Sequence, residues 1–144
     1  MKVRAGQRAA FLTTLAGSSF LLNFCWESLH GLLYEGHPEM AASAYVPMML
    51  LAALMDTLAI ALLYSITALF ARSWFWDKGL RNRLFFLCIG LLAASLLEYV
   101  SINSFLLWHY LPSMPVIFGI GLFPLVQLSF TGLFSLFLAR KVAG

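Results

Sequence analysis

Charge is the scarcest property of this 144-residue sequence: Asp, Glu, Lys and Arg together supply 10% of it, against about 25% in a soluble domain. Hydrophobic residues make up 62% and the mean hydropathy is +0.89. That balance excludes a water-soluble fold and predicts an integral membrane protein. Basic residues are absent from every long apolar run. The nine Lys and Arg (Lys2, Arg4, Arg8, Arg72, Lys78, Arg81, Arg83, Arg140 and Lys141) all flank such runs, as in cytoplasmic loops. The formal charge of +3 therefore does not mark a nucleic-acid binder. Cysteine is nearly missing too: Cys25 and Cys88 form no CxxC pair, so each reads as a small packing residue and the redox compartment stays open. Regular polar–apolar alternation is also lacking, which excludes a membrane barrel.

The apolar runs predict an all-α, four-helix membrane bundle in a single domain, 1–144. Its helices are expected at about 11–33, 47–71, 84–108 and 115–139, each longer than the roughly 20 residues that a bilayer requires. Pro47 and Pro115 are read as helix starts, where a missing N–H is harmless. The short turn at Leu111–Met114 makes the last two helices antiparallel neighbours. Three basic segments on one side, and Glu35 and Glu39 on the other, place both termini in the cytoplasm. A bacterial inner membrane is the expected location. Aromatic residues agree, with Trp74 and Trp76 at the inner interface and Tyr34, Tyr45, Trp108 and Tyr110 at the outer one. The N-terminal run is read as an uncleaved first helix, because the signal-peptidase-like Ala42-Ser43-Ala44 triplet lies far beyond it.

Three carboxylates, Glu27, Asp56 and Glu98, interrupt these runs. An acid in a membrane helix is costly and faces a protein interior or a wet cavity. Counting 1.5 Å per residue from the outer helix ends puts Glu27, Asp56, Glu98 and Gln127 at depths of roughly 9 to 18 Å. They form one layer in the outer half of the bundle. Ser19, Asn23, Glu27, His30 and Tyr34 recur every three or four residues and share a helix face. Ser95, Glu98 and Ser101 form a shorter stripe. Pro124 is expected to free the carbonyl near Ile120, with Gln127 three residues on as a replacement partner. Serine and asparagine alone are adequately explained by helix packing. Three acids without a cation are not, since a neutral side chain packs at far smaller cost. Desolvation and mutual repulsion are expected to keep at least one of them protonated at neutral pH.

Glu27, Asp56 and Glu98 are thus the candidate catalytic groups, and Asn23, Trp26, His30, Tyr99, Trp108 and Gln127 the candidate substrate contacts. An acid in a dry pocket can protonate an alkene or epoxide, and carboxylates and aromatic faces can stabilise the resulting cation. Trp108-x-Tyr110 followed by Gly119-x-Gly121-x-x-Pro124-Leu-x-Gln127-x-x-Phe130 resembles the end of membrane lycopene cyclase-type domains. That resemblance implies chemistry on an isoprenoid-like substrate, although those domains usually carry an acid where this chain has Gln127. Asn23-Phe-x-Trp26-Glu27, Asp56 and the segment from Trp108 to Pro115 also resemble small uncharacterised bacterial membrane proteins, which implies a fold and no activity.

Other readings stay open. Glu27-x-x-His30 puts two metal ligands on one helix face, and Asp56 and Glu98 could complete an Fe or Mn site. No cofactor is otherwise expected, and a second Glu-x-x-His is missing. A proton-coupled cation transporter is the main rival, since membrane acids mark ion pathways and a homo-oligomer could form a pore. Against it, the inner half offers only Tyr64, Ser65 and Thr67 as a polar track. A pigment- or quinone-binding accessory subunit is the remaining alternative. The expected partners are the lipid bilayer and a lipophilic small molecule.

Overall fold

The computed structural model describes residues 5–76 and 79–144; Lys2, Arg4 and Lys78 lie outside them. The described residues form four long helices. α1 spans Ala5–His30 and runs into a 3-10 turn at Gly31–Leu33; α2 spans Ala42–Phe70, α3 Leu80–Asn103 and α4 Leu122–Ala143. Each is long and apolar enough to cross a membrane. A two-stranded hairpin, β1 (Val116–Ile117) and β2 (Ile120–Gly121), precedes α4. Its two-residue turn uses positive φ at Phe118 (51°) and Gly119 (78°), the twist that suits a tight hairpin.

Several boundaries differ from the sequence expectation. α3 stops at Asn103 rather than Trp108, and α4 starts at Leu122 rather than Pro115. The intervening chain is apolar enough to imitate helix, yet Leu106 adopts φ 51° and the backbone turns away. The α3–α4 connection is consequently a structured segment, not a four-residue turn. α2 begins before Pro47, which lies inside it. Pro124 sits in the first turn of α4, where no i−4 carbonyl is deprived, and Ile120 is in β2. The expected freed carbonyl therefore does not exist.

Burial repeats every fourth residue. α1 buries Phe11, Leu15, Ser19 and Asn23; α3 buries Asn82, Phe86, Gly90, Ala94 and Glu98; α4 buries Gln127, Thr131, Ser135 and Ala139. Rows of this spacing are the ridges by which helices interlock. α4 is the most enclosed helix and packs closely on both α1 and α3, while α2 packs only lightly against α3. At the end carrying the termini, Phe11, Leu15, Ile60, Leu63, Tyr64, Phe86, Leu136 and Ala139 make an apolar core. The Tyr64 hydroxyl donates to the Trp74 carbonyl there. Trp76 is buried rather than interfacial, covered by the Arg140 guanidinium 4.2 Å from its ring centre.

Candidate functional site: a carboxyl layer beneath a two-loop cap

The α1–α4 seam sets the site. Gln127 Nε2 donates to Glu27 Oε1 at 2.7 Å and approaches Asn23 Oδ1 at 3.1 Å, and Thr131 Oγ1 donates to Asn23 Oδ1 at 3.1 Å. Four residues back along α1 match four residues on along α4, so the helices are antiparallel and in register. Toward the termini, Ser19 and Ser135 are buried on the same two helices with neither hydroxyl hydrogen-bonded, and Leu15 and Ala139 belong to the apolar core.

Gln127 Nε2 also lies 2.6 Å from Asp56 Oδ2. It therefore faces three acceptors with two hydrogens, and the two shortest approaches are to carboxyl oxygens. Glu27 Oε1 and Asp56 Oδ2 therefore lie side by side on one nitrogen. Two carboxyls brought this close repel one another unless they share a proton. Three helices, α1, α2 and α4, thus converge on one amide. Asn23 buttresses this layer, with its Nδ2 donating to the Ser19 carbonyl at 2.8 Å.

Glu98 is held separately. Its Oε2 accepts from the Tyr110 hydroxyl at 2.5 Å and from Trp108 Nε1 at 3.4 Å, hydrogen bonds that strengthen when the carboxyl is ionised. Tyr110 in turn accepts from the Gly121 N–H at 2.9 Å. A Cβ at Gly121 would stand 3.0 Å from the Tyr110 ring, so this close approach needs glycine. Burial and the bond to Glu98 raise the Tyr110 hydroxyl above the phenol range, outweighing the opposing Gly121 N–H. Tyr34 is likewise raised, first by burial and then by the charge of Glu98. Both hydroxyls stay neutral, and that of Tyr110 donates to Glu98.

The cap over the layer is made by two loops. Tyr34 and Tyr110 form a bridge, with Glu35 N–H donating to the His109 carbonyl at 3.0 Å and Leu111 N–H to the Leu33 carbonyl at 2.9 Å. Beneath it is a cavity of about 490 Å³ lined by Glu27, Asp56, Glu98, Gln127, His30, His37, Tyr34 and Trp108, with Met48, Met49 and Met55 on the α2 wall. Its side opening lies in the weakly packed α2–α3 groove, where the lining residues Leu51, Met55 and Leu97 are 61%, 58% and 56% exposed. The Nδ1 atoms of His30 and His37 meet the carbonyls of Trp26 (3.0 Å) and Gly31 (2.8 Å). Carbonyls only accept, so Nδ1 carries a hydrogen in each ring and Nε2 is the nitrogen left for other partners.

The structure brings together some of the residues named from the sequence. Glu27, Asp56, Glu98, His30, Trp108 and Gln127 all line the cavity; Asn23 lies behind it. Trp26 does not reach it and packs against Phe130 instead. Tyr99 is 57% exposed on the outside of α3. Cys25 and Cys88 are free and exposed rather than packed. Ser95 bonds its own helix at the Leu91 carbonyl, whereas Ser101 does line the cavity. Ser65 and Thr67, the small polar residues named as candidates for a track, donate to the carbonyls of Ala61 and Leu63 on their own helix. Tyr110, the methionines and Thr131 were missed. Tyr110 read as an interfacial aromatic, and only its place two residues after Trp108 hinted otherwise.

Among the described residues no three His, Cys, Asp or Glu side chains stand close enough to hold a metal ion, so the Fe or Mn set is not assembled. No protein-family model, curated protein or solved structure matches the chain.

Proposed function

We propose that the protein is an integral membrane enzyme, both termini cytoplasmic in a bacterial inner membrane, acting by acid chemistry on a lipid-soluble, isoprenoid-like substrate. The observation that carries this reading is the shape of the cavity: capped by the Tyr34–Tyr110 bridge, and open at its side between α2 and α3. A molecule dissolved in the bilayer reaches the carboxyls through that side without crossing water.

The division among the carboxyls gives each a role. The proton held between Glu27 and Asp56 adds to one carbon of a substrate double bond, whose π pair forms the new C–H bond. The neighbouring carbon becomes a cation, and the donor pair gains the negative charge. Glu98, with the faces of Tyr34 and Trp108, stabilises that cation. Loss of a different adjacent proton to a carboxylate regenerates an alkene, so the net step is isomerisation or, with an internal alkene as nucleophile, cyclisation. In the lycopene cyclase-type domains that the segment resembles, an acid usually stands at the position of Gln127; here Gln127 contacts two acids from other helices. The rival reading, proton-coupled transport, requires an inner exit, and the apolar core of Leu15, Ala139 and Phe11 opposes one.

Mass spectrometry of lipophilic compounds retained by the purified protein tests the proposal. Wild type is expected to retain a lipid-soluble compound that Glu27→Gln, Asp56→Asn and Glu98→Gln retain poorly or in altered isomeric form. Identical cargo in all four proteins overturns the shared site.

A further inference from the structure

We propose that the cavity is a receptor for a lipophilic cation, with the positive centre beside Glu98 and its apolar groups directed toward the α2–α3 opening. This rests on the reading that the opening faces lipid, and it specifies the charge of the molecule that the proposed enzyme or a rival carrier would hold.

The polarity of the lining carries the inference. Three carboxyls border the cavity and no Lys or Arg does. Both donors that reach Glu98 end on Oε2; among the described residues no donor meets Oε1. His30 and His37 have committed their Nδ1 hydrogens to backbone carbonyls, which leaves their Nε2 atoms for other partners. The amide hydrogens of Gln127 are engaged by Glu27 and Asp56. Acceptors therefore dominate the polar lining, with the hydroxyls of Tyr34 and Ser101 as the donors set against them. A carboxylate or phosphate head would meet like charge and unpaired lone pairs. A cation meets complementary charge, the ring faces of Tyr34 and Trp108, and the polarisable thioethers of Met48, Met49 and Met55.

The apolar part follows from the route. Leu51, Met55 and Leu97 border the opening and are largely exposed, so a strongly hydrated ion such as sodium gains nothing by this path. A cation whose charge is shielded by hydrocarbon does. The cavity volume of about 490 Å³ is within the range that accommodates a small organic ligand.

Tetraphenylphosphonium and tetraphenylborate, which share shape and differ in charge sign, provide the test. Each is titrated into wild type in lipid nanodiscs by calorimetry, with empty nanodiscs subtracted. Tetraphenylphosphonium is expected to bind saturably and tetraphenylborate at least tenfold more weakly. Glu98→Gln should lose tenfold or more in phosphonium affinity, while Glu98→Asp, which keeps the charge, should lose less. Thermal unfolding of each variant separates lost binding from lost folding. Equal binding of the two ions, or undiminished phosphonium binding by folded Glu98→Gln, overturns the proposal. Cation binding alongside unchanged cargo in the carboxyl variants would remove the acid chemistry and leave this inference standing. The reverse pattern would remove only this one.

Discussion

Hydrogen-bond capacity at single residues explains why this site looks as it does. Gln127 offers two hydrogens to three acceptors, and the carboxyls take the short ones. The acids themselves were legible in the sequence, because a carboxylate in an uncharged apolar run has no bland explanation. Their neighbours were not. Trp26 adjoins Glu27 and Tyr99 adjoins Glu98 in sequence, but one residue along a helix is a rotation of about 100°, and both rings face elsewhere. The tyrosines of the cap carry a prediction about pH. Burial, with Glu98 beside them, raises the hydroxyls of Tyr34 and Tyr110 above their ordinary value of about 10. Above that value the unfolded chain releases protons that the folded protein keeps, so folded stability falls as pH rises. Thermal unfolding in detergent should be independent of this effect below about pH 9 and decline above about pH 10. Tyr34→Phe should reduce the decline; a wild-type transition unchanged to pH 11 would contradict the assignment.

Helix existence was readable from hydropathy, helix ends less so. Hydropathy cannot distinguish the end of an apolar helix from an apolar loop, and Phe105, Leu106 and Leu107 belong to the loop. Their backbone turns so that Trp108 and Tyr110 can reach Glu98, a tertiary requirement without a local signature. The α3–α4 contact is similarly a property of element pairs. A Cβ at Gly90 would stand 2.4 Å from Ser129 Oγ and 3.3 Å from Ser129 Cα, and Ser129 Oγ donates to the Leu87 carbonyl at 3.0 Å. Gly90→Ala should therefore cost about 1–3 kcal/mol by overpacking. Gly17→Ala is the control, since nothing lies within 4 Å of its Cβ; it should be neutral or stabilise by about 0.5–1 kcal/mol through helix propensity. Equal effects of the two on the unfolding midpoint would mean that α3 and α4 are not in close contact at Gly90.

At the scale of the molecule, each helix is ordinary and the function lies in how the four enclose space. α1, α2 and α4 bring Glu27, Asp56 and Gln127 to one point, α3 brings Glu98 to the adjacent wall, and the two loops cap them. Depth along each helix was enough to name these residues together. Their proposed separation into a proton-sharing pair and a doubly donated carboxyl depends on the cap, which no spacing in the sequence announces. That separation is the central claim, because it assigns acid and charge stabiliser to different residues. Infrared spectroscopy in H₂O and D₂O at neutral pH measures it directly. The account predicts a protonated-carboxyl band that shifts in D₂O, is displaced or lost in both Glu27→Gln and Asp56→Asn, and persists in Glu98→Gln. Absence of the band from wild type, or its loss in Glu98→Gln alone, would contradict the account.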